Sequence, residues 1–304
     1  MKKIETIAIV GMGALGLLFG DLLQRDAALS VGFVVDAARM ERYGREPIRI
    51  NGVHKRFSLL PAGAAEKGAD LVVFAVKSTA LEGAMEDAAG YVGEDTVLIS
   101  LLNGITSEGL LEARFGREKV VYCTAQGMDA TRQGRTLTYS RPGQLCIGLP
   151  DGRPRDALEA LAEVLARAGV PHTVETDILH RQWSKLMLNV GVNQVVMVRE
   201  GNYGTVQVPG AAREQMIAAM REVIALSRLE GVPVTEDDLK YYVDLIDTLS
   251  PEGMPSMRQD GLARRPSEVE LFSGTVLRLA AKHGLDTPVN RELYDTVRRM
   301  EAAY

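Results

Sequence analysis

The stretch Ile7-Ala8-Ile9-Val10-Gly11-Met12-Gly13-Ala14-Leu15-Gly16 decides the fold. A short, continuously apolar run meets three glycines spaced G-x-G-x-x-G, and a helical pattern follows through Leu15, Leu18, Phe19 and Leu22. Strand, glycine turn and helix in that order form the context in which this spacing binds a dinucleotide. Gly11 permits the tight turn, Gly13 lets the backbone approach a pyrophosphate, and Gly16 packs helix on strand. Met12, Ala14 and Leu15 complete the loop and open the helix, whose unpaired N–H groups and partial positive charge suit phosphates. Asp36 closes a second apolar run, Val31 to Val35, and lies twenty residues beyond Gly16. A carboxylate there accepts hydrogen bonds from an adenine-ribose 2′-hydroxyl. The competing reading is a glycine-rich turn that binds nothing, and the placement in a first βαβ unit weighs against it.

Working outward, Leu71 to Val76, Thr96 to Leu101 and Val120 to Thr124 are further buried-strand candidates, with helical stretches between them. Continuous apolar strands separated by helices predict a parallel sheet covered on both faces. Ile48, Ile50, Asn51-Gly52, Phe57 and Leu59 read as a small hairpin, because Asn-Gly readily takes a type I′ turn. Thr136 to Tyr139 and Leu145 to Ile147 flank Arg141-Pro142-Gly143 and read as an antiparallel addition. Leu158, Leu161, Leu165 and Ala168 mark an amphipathic helix before Val170 to Val174. Beyond about residue 175 the strand signal ends. Segments 177–199, 210–230, 235–249, 267–283 and 288–303 have helical periodicity, separated by glycine and proline breakers. The expected class is α/β: a Rossmann-type doubly wound sheet over residues 1–175, followed by an all-helical substrate domain over 176–304.

Composition narrows the function classes. The 304 residues carry 35 Lys+Arg against 40 Asp+Glu, a net charge of −5 that argues against a generic nucleic-acid or anionic-membrane binder. No apolar run approaches the ~20 residues needed to span a bilayer. The residues after Met1-Lys2-Lys3 enter the strand pattern at once, leaving no signal-peptide core. Cys123 and Cys146 both lie in apolar strand-like stretches and read as reduced core residues of a cytoplasmic protein. The four histidines are scattered, so no metal is expected.

Lys185, Asn189 and Asn193 are spaced i, i+4, i+8, near one face of a single helix. Such a stripe is usually solvated. Two observations oppose that here: asparagine is a poor helix-interior residue, and Trp183, the only tryptophan, sits beside this face. With Gly11 to Gly16, Val76-Lys77 and Asn103-Gly104 at strand ends, Trp183-Ser184-Lys185-Leu186 before the asparagines, Pro255-Ser256-Met257-x-Gln259-Asp260, and Ser267-Glu268-Val269-Glu270, the chain resembles the ketopantoate reductases (2-dehydropantoate 2-reductases) from residue 7 to about 290. That family reduces a 2-keto acid with NADPH to a D-2-hydroxy acid on the pantothenate route.

The resemblance implies roles residue by residue. Lys185 is the general acid for the carbonyl oxygen. Asn189 and Asn193 hold the substrate's hydroxyl and carbonyl oxygens, Ser256 binds its carboxylate, and Glu268 contacts Lys185 and the nicotinamide end of the cofactor. Lys77 and Asn103 sit beside the nicotinamide ribose, and Ala130 makes a weaker backbone contact to the cofactor. The chemistry fits these residue types, since hydride addition to a ketone develops alkoxide charge that needs a proton or a cation. Blander readings exist for several positions. Ser267-x-x-Glu270 reads as a capping box that places Glu268 in a helix's first turn, Ser256-x-x-Gln259 as another, and Asn103-Gly104 as a simple turn.

The chain departs from the family in three places. Asp36 stands where the family commonly has an arginine for the 2′-phosphate of NADPH, so NADH is expected to bind at least as well. Asn193-Gln194-Val195-Val196 replaces Asn-Pro-Leu-Thr, and Asn202 comes one place earlier than a later substrate asparagine. The expected function is hydride transfer from NAD(P)H to a small 2-keto acid, ketopantoate first. The alternatives are a dehydrogenase of another D-2-hydroxy acid and a dinucleotide-binding sensor without turnover. A homodimer stays open, because apolar helical faces of the second domain serve either as core or as dimer surface.

Overall fold

The computed structural model describes residues 3–45, 47–64, 68–150 and 152–304. They form two compact units, Met1–Ile178 and Leu179–Tyr304.

The first unit opens with β1 (Thr6–Val10), α1 (Ala14–Leu23), β2 (Ser30–Val35) and α2 (Ala37–Arg45). Short strands β3 (Ile48–Ile50) and β4 (Val53–Lys55) precede β5 (Ser58–Pro61) and β6 (Ala69–Phe74). Then come α3 (Leu81–Ala88), β7 (Val92–Ser100), α4 (Ser107–Phe115) and β8 (Tyr122–Met128). Strands β9 (Thr131–Gln133), β10 (Thr136–Thr138) and β11 (Pro142–Gly148), helix α5 (Asp156–Arg167) and strand β12 (His172–Val174) complete it.

Among the described residues the main sheet runs β5-β2-β1-β6-β7, all parallel. The strands are apolar on both faces because both are covered. Ile7, Ile9, Val31, Phe33, Leu71 and Val73 point into one core with Leu17, Leu18 and Leu22 of α1. The alternate residues Ala8, Val10, Val34, Val72 and Phe74 enter a second core with Leu81, Ala84 and Met85 of α3. The chain leaves β1 toward β2 and later returns to its other side as β6, so the order reverses at the C-terminal end of β1. Ligands of open α/β sheets gather at such a point.

The smaller sheets correct two expectations. Asn51 (φ 48°) and Gly52 (φ 82°) do turn β3 back on β4, but Leu59 lies in β5, the edge strand that pairs with β2 in the main sheet. Pro61 ends that strand on the edge, where a missing N–H costs least. Likewise β10 does not pair with β11: β10 joins β9 and β3, whereas β11 joins β8 and β12. The Arg141-Pro142-Gly143 segment passes the chain from one sheet to the other. Register also settles the cysteines. Both are buried and not joined in a disulfide; Cys123 faces Ile147 and Cys146 faces Thr124, so their side chains project from opposite faces.

The second unit contains nearly all of α6 (Ile178–Val198), then α7 (Gly204–Gln207), α8 (Ala211–Leu229), α9 (Glu236–Asp247), α10 (Ser256–Leu262), α11 (Ser273–His283) and α12 (Pro288–Glu301). One helix differs from its sequence pattern. Residues 267–272 are irregular, a bend at Glu268 and turns over 269–272, and not the start of a helix over 267–283. The Ser267 N–H bonds the Glu301 carboxylate at 2.7 Å, and Glu270 takes the Tyr294 hydroxyl at 2.5 Å, so no capping box forms there. A true capping box occurs at α9, where Thr235 and Asp238 exchange side-chain and backbone bonds.

No described helix is long and apolar enough to cross a membrane.

Candidate active site

The glycine loop occupies the switch point of the sheet. Gly11 has φ 106°, and a Cβ there would lie 2.5 Å from the Ala75 carbonyl oxygen. At Gly16 a Cβ would come within 2.0 Å of the Gly11 carbonyl oxygen, so α1 can sit this close to the loop only as glycine. Gly13 is different: the nearest neighbour of a Cβ there would be the Ala75 carbonyl oxygen at 3.6 Å, an ordinary contact, so no protein atom crowds the backbone at this point. Gly13 is also the N-cap of α1 and offers the first-turn N–H groups no side-chain acceptor, and no acidic residue lies in that turn. Uncapped donors beneath a bare backbone are what a pyrophosphate requires. The residues present therefore fit a dinucleotide.

Around this loop the other sequence candidates take definite places. Lys77 is exposed just past the C-terminal end of β6, and Asn103 is half-buried just past β7. Ala130 packs against the first unit's core in the turn between β8 and β9. Asp36 ends β2 and already has partners: its carboxylate accepts the Arg39 N–H at 2.6 Å and pairs with the Arg39 guanidinium at 3.2 Å. Arg42 stacks on Tyr43, 4.8 Å from the ring centre, and donates to its hydroxyl at 2.9 Å. Arg132 donates to the same hydroxyl at 3.1 Å and to the Met12 carbonyl within the glycine loop. Burial pushes the Tyr43 phenol up, but the guanidiniums of Arg132 and Arg42 outweigh it and bring it below its usual range. Sequence reasoning missed Arg132, which comes from a hairpin 120 residues beyond Met12 in the chain; no local pattern marks it.

In the second unit, α6 carries Lys185, Asn189 and Asn193 at one-turn intervals. Lys185 is half-buried, and Trp183 and both asparagines are buried. The Asn193 Nδ2 donates to the Asn189 Oδ1 at 3.1 Å. The Asn193 Oδ1 accepts the Ser256 hydroxyl and the Met257 N–H, both at 3.3 Å. Because a backbone N–H can only donate, the Met257 contact fixes which end of the Asn193 amide is oxygen. Asn189, Asn193 and Ser256 thus form one hydrogen-bonded cluster. Ser256 is the first residue of α10, with Pro255 as its N-cap, and Gln259 bonds the Met254 carbonyl. The capping-box reading of Ser256 is therefore not what the structure contains. Glu268 is 93% buried, since its exposure is 7%, in the turn before α11. Its carbonyl accepts the Leu271 and Phe272 N–H groups at 2.9 and 3.2 Å. Asn202, the displaced asparagine, donates to Glu252 at 3.3 Å.

The sequence and the fold have known relatives. A family model described as "Ketopantoate reductase PanE/ApbA" matches residues 7–152, and its C-terminal companion matches 177–301. The 2-dehydropantoate 2-reductase of Archaeoglobus fulgidus is 27% identical over 301 residues, 99% of each chain. That of Aquifex aeolicus is 26% identical over 96% of each chain. Among solved structures, the ketopantoate reductase of Ralstonia eutropha superposes with a TM-score of 0.85 at 25% identity, over 98% of this chain and 99% of that one. D-mandelate dehydrogenase, solved with NADH and anilino(oxo)acetate, reaches 0.89 at 22% identity over 98% and 99%, a likeness of fold. Both halves of the chain, with their glycine loop and their asparagine-bearing helix, match one family from near end to end: the chain belongs to the ketopantoate reductase family.

Proposed function

We propose that this protein reduces a small 2-keto acid to the D-2-hydroxy acid with a nicotinamide dinucleotide, and that 2-dehydropantoate is the first substrate to try. The observation that carries the proposal is the Asn189–Asn193–Ser256 cluster one turn from Lys185 on α6. The bound dinucleotide supplies the hydride for the carbonyl carbon. The protein has to neutralise the charge that develops on the carbonyl oxygen, and Lys185 Nζ is the group proposed to deliver the proton there. Glu268, buried in its turn, is proposed to orient that ammonium. Asn193 spends its oxygen on Ser256 and Met257, which holds its amide still. Asn189 turns its oxygen to Asn193, leaving its NH₂ group for a substrate oxygen. Ser256, at the first position of α10, is proposed to meet the substrate carboxylate. In the first unit Gly11 to Gly16, Lys77, Asn103 and Ala130 are proposed to hold the dinucleotide, with Asp36 on the adenine ribose.

The changed segment after Asn193 supports a second reading, a different 2-keto acid. Gln194, Val195 and Val196 are fully buried, and Asn202 is taken by Glu252, so contacts expected of the family near the substrate are altered. One experiment separates the readings: a panel of 2-keto acids assayed with NADH and NADPH by nicotinamide absorbance. The highest kcat/KM names the substrate. Tight dinucleotide binding without turnover of any keto acid would identify a sensor and overturn the proposal. A homodimer belongs to the same proposal, through the exposed Tyr241 and Leu245 of α9; light scattering of the purified chain tests it.

A further inference from the structure

We infer that Gln194 is a positioning residue for this reduction: its buried amide bridges the helix bearing Lys185, Asn189 and Asn193 to Ser273, which starts α11 directly after the turn bearing Glu268. The inference rests on the proposed roles of Lys185 and Glu268.

Gln194 is fully buried, and both ends of its amide are used. The Nε2 donates to the Val190 carbonyl one turn back at 2.8 Å, and the Oε1 accepts the Ser273 N–H at 3.3 Å. Ser273 is the first residue of α11, so its N–H is one of the donors that a helix cannot satisfy internally. Phe272, the N-cap, makes no side-chain bond to the helix, and the cap arrives from α6 instead. The same residue is held from the other side. The Ser273 hydroxyl donates to Asn290 Oδ1 at 2.8 Å, and Asn290 Nδ2 donates to Glu222 at 2.7 Å and to the Ala219 carbonyl at 3.2 Å. Glu222 accepts the Val289 and Asn290 N–H groups as well, both at 2.9 Å. Gln194, Ser273 and Asn290 all have 0% exposure, so no water can replace a lost partner without a rearrangement.

The link from Ser273 to Glu268 is short and stiff. The Gly274 N–H closes onto the Val269 carbonyl at 2.9 Å, and the Leu271 and Phe272 N–H groups close onto Glu268. A shift of Ser273 against α6 is therefore passed to Glu268. On the helix side Gln194 is the neighbour of Asn193, whose oxygen receives Ser256 and Met257. The two Gln194 bonds connect the elements proposed to hold the proton donor and its carboxylate partner.

The experiment compares full-length Gln194→Met, Gln194→Asn and Gln194→Glu with Glu268→Gln. Methionine keeps the length and loses both bonds; asparagine keeps an amide too short to span; glutamate, held as the neutral acid by its burial, keeps an acceptor for the Ser273 N–H and a donor for the Val190 carbonyl. We expect Gln194→Met and Gln194→Asn to lower kcat by about ten- to a hundredfold, the scale of a small misplacement. The dinucleotide KM should stay within about twofold, and Gln194→Glu should recover most of the loss. Hydrogen exchange at the Ser273 amide should rise in the first two variants and recover in the third. A Tm that falls in a variant whose kcat is unchanged well below that Tm makes Gln194 merely structural and overturns the inference. Should Gln194→Met not fold, Gln194→Asn decides on the same criteria. If Glu268→Gln lowers kcat and both bridge-breaking variants do not, this inference fails alone. If Glu268→Gln is fully active, the role given to Glu268 fails and takes the bridge's purpose with it.

Discussion

Asn193 and Asn189 bond to each other one turn apart on α6, Nδ2 to Oδ1 at 3.1 Å. Two short amides buried on one helix would compete with its backbone if left to themselves. Here the Asn193 NH₂ satisfies the Asn189 oxygen, and Ser256 and Met257 complete Asn193. The face is thereby rigid before any substrate arrives, and Lys185 stands one turn N-terminal to it.

Lys185→Ala should lower kcat by about 10²–10⁴-fold, the usual worth of a positioned acid. Dinucleotide affinity should barely change, because the glycine loop lies in the other unit. Steady-state turnover with isothermal titration of the dinucleotide checks both halves. A variant with near-normal kcat removes Lys185 from the mechanism.

Ser256→Ala should raise KM for the keto acid more than it lowers kcat, because a carboxylate contact exists before and during hydride transfer. Stability should change little. Pro255 and not Ser256 is the N-cap of α10, and the Asn193 oxygen keeps the Met257 N–H when the hydroxyl is gone. A Tm drop worth about 1 kcal/mol, the cost of a lost cap, with KM unchanged would return Ser256 to a structural role.

The parts legible in the sequence are those in which a local signal and the fold agree. Gly11 and Gly16 specify their own geometry, because steric contacts of 2.5 and 2.0 Å exclude a Cβ there. Two-faced apolar strands announce a covered parallel sheet. What stayed hidden depended on distant partners. Leu59 alternates like a hairpin strand, and only its pairing with Phe33 of β2 reveals an edge of the main sheet. Ser267-x-x-Glu270 has the letters of a capping box, yet Glu301 and Tyr294 of α12 claim the two ends. Arg132 and Gln194 work through partners 120 and 79 residues away, and no spacing rule reaches that far.

Glu230 should make part of the stability acid-sensitive. It joins the end of α8 to the end of α11 through Lys282 at 2.7 Å and His283 at 2.5 Å. Hydrogen bonds from Lys282 and then His283 hold its carboxyl below the usual range, against a smaller push upward from burial. A depressed folded pKa gives stability that is present above the unfolded value, about 4.3, and is lost as pH falls through the folded one. Glu230→Gln should therefore lower Tm at neutral pH, with the gap to wild type closing as pH falls below the unfolded value, about 4.3. Thermal melts from about pH 3 to 7 test this; a gap independent of pH would remove the carboxylate's charge as its cause.

We expect the choice of nicotinamide cofactor to turn on Asp36. Its carboxylate ends β2, where an NAD enzyme reads the ribose 2′-hydroxyl, and its side chain is 47% exposed. A 2′-phosphate there would meet a like charge, a repulsion of ~1–4 kcal/mol from water to a protein surface, and the exposure places it toward the lower end. The arginines that follow in sequence do not stand ready to offset it. Arg39 is already paired with Asp36, and Arg42 is stacked on Tyr43 beside Arg132. NADH should thus serve at least as well as NADPH. Asp36→Ala would also remove the acceptor of the Arg39 N–H at the start of α2, so Asp36→Ser, which keeps an acceptor without the charge, is the cleaner variant. In it the ratio of kcat/KM for NADPH over NADH should rise by about tenfold, the equivalent of 1.4 kcal/mol, more at low salt than at high. Wild-type preference for NADPH above tenfold, not raised further in Asp36→Ser, would mean that Asp36 does not read the ribose. The positive charge gathered by Arg42 and Arg132 around Tyr43 would then be the place to look for the group that does.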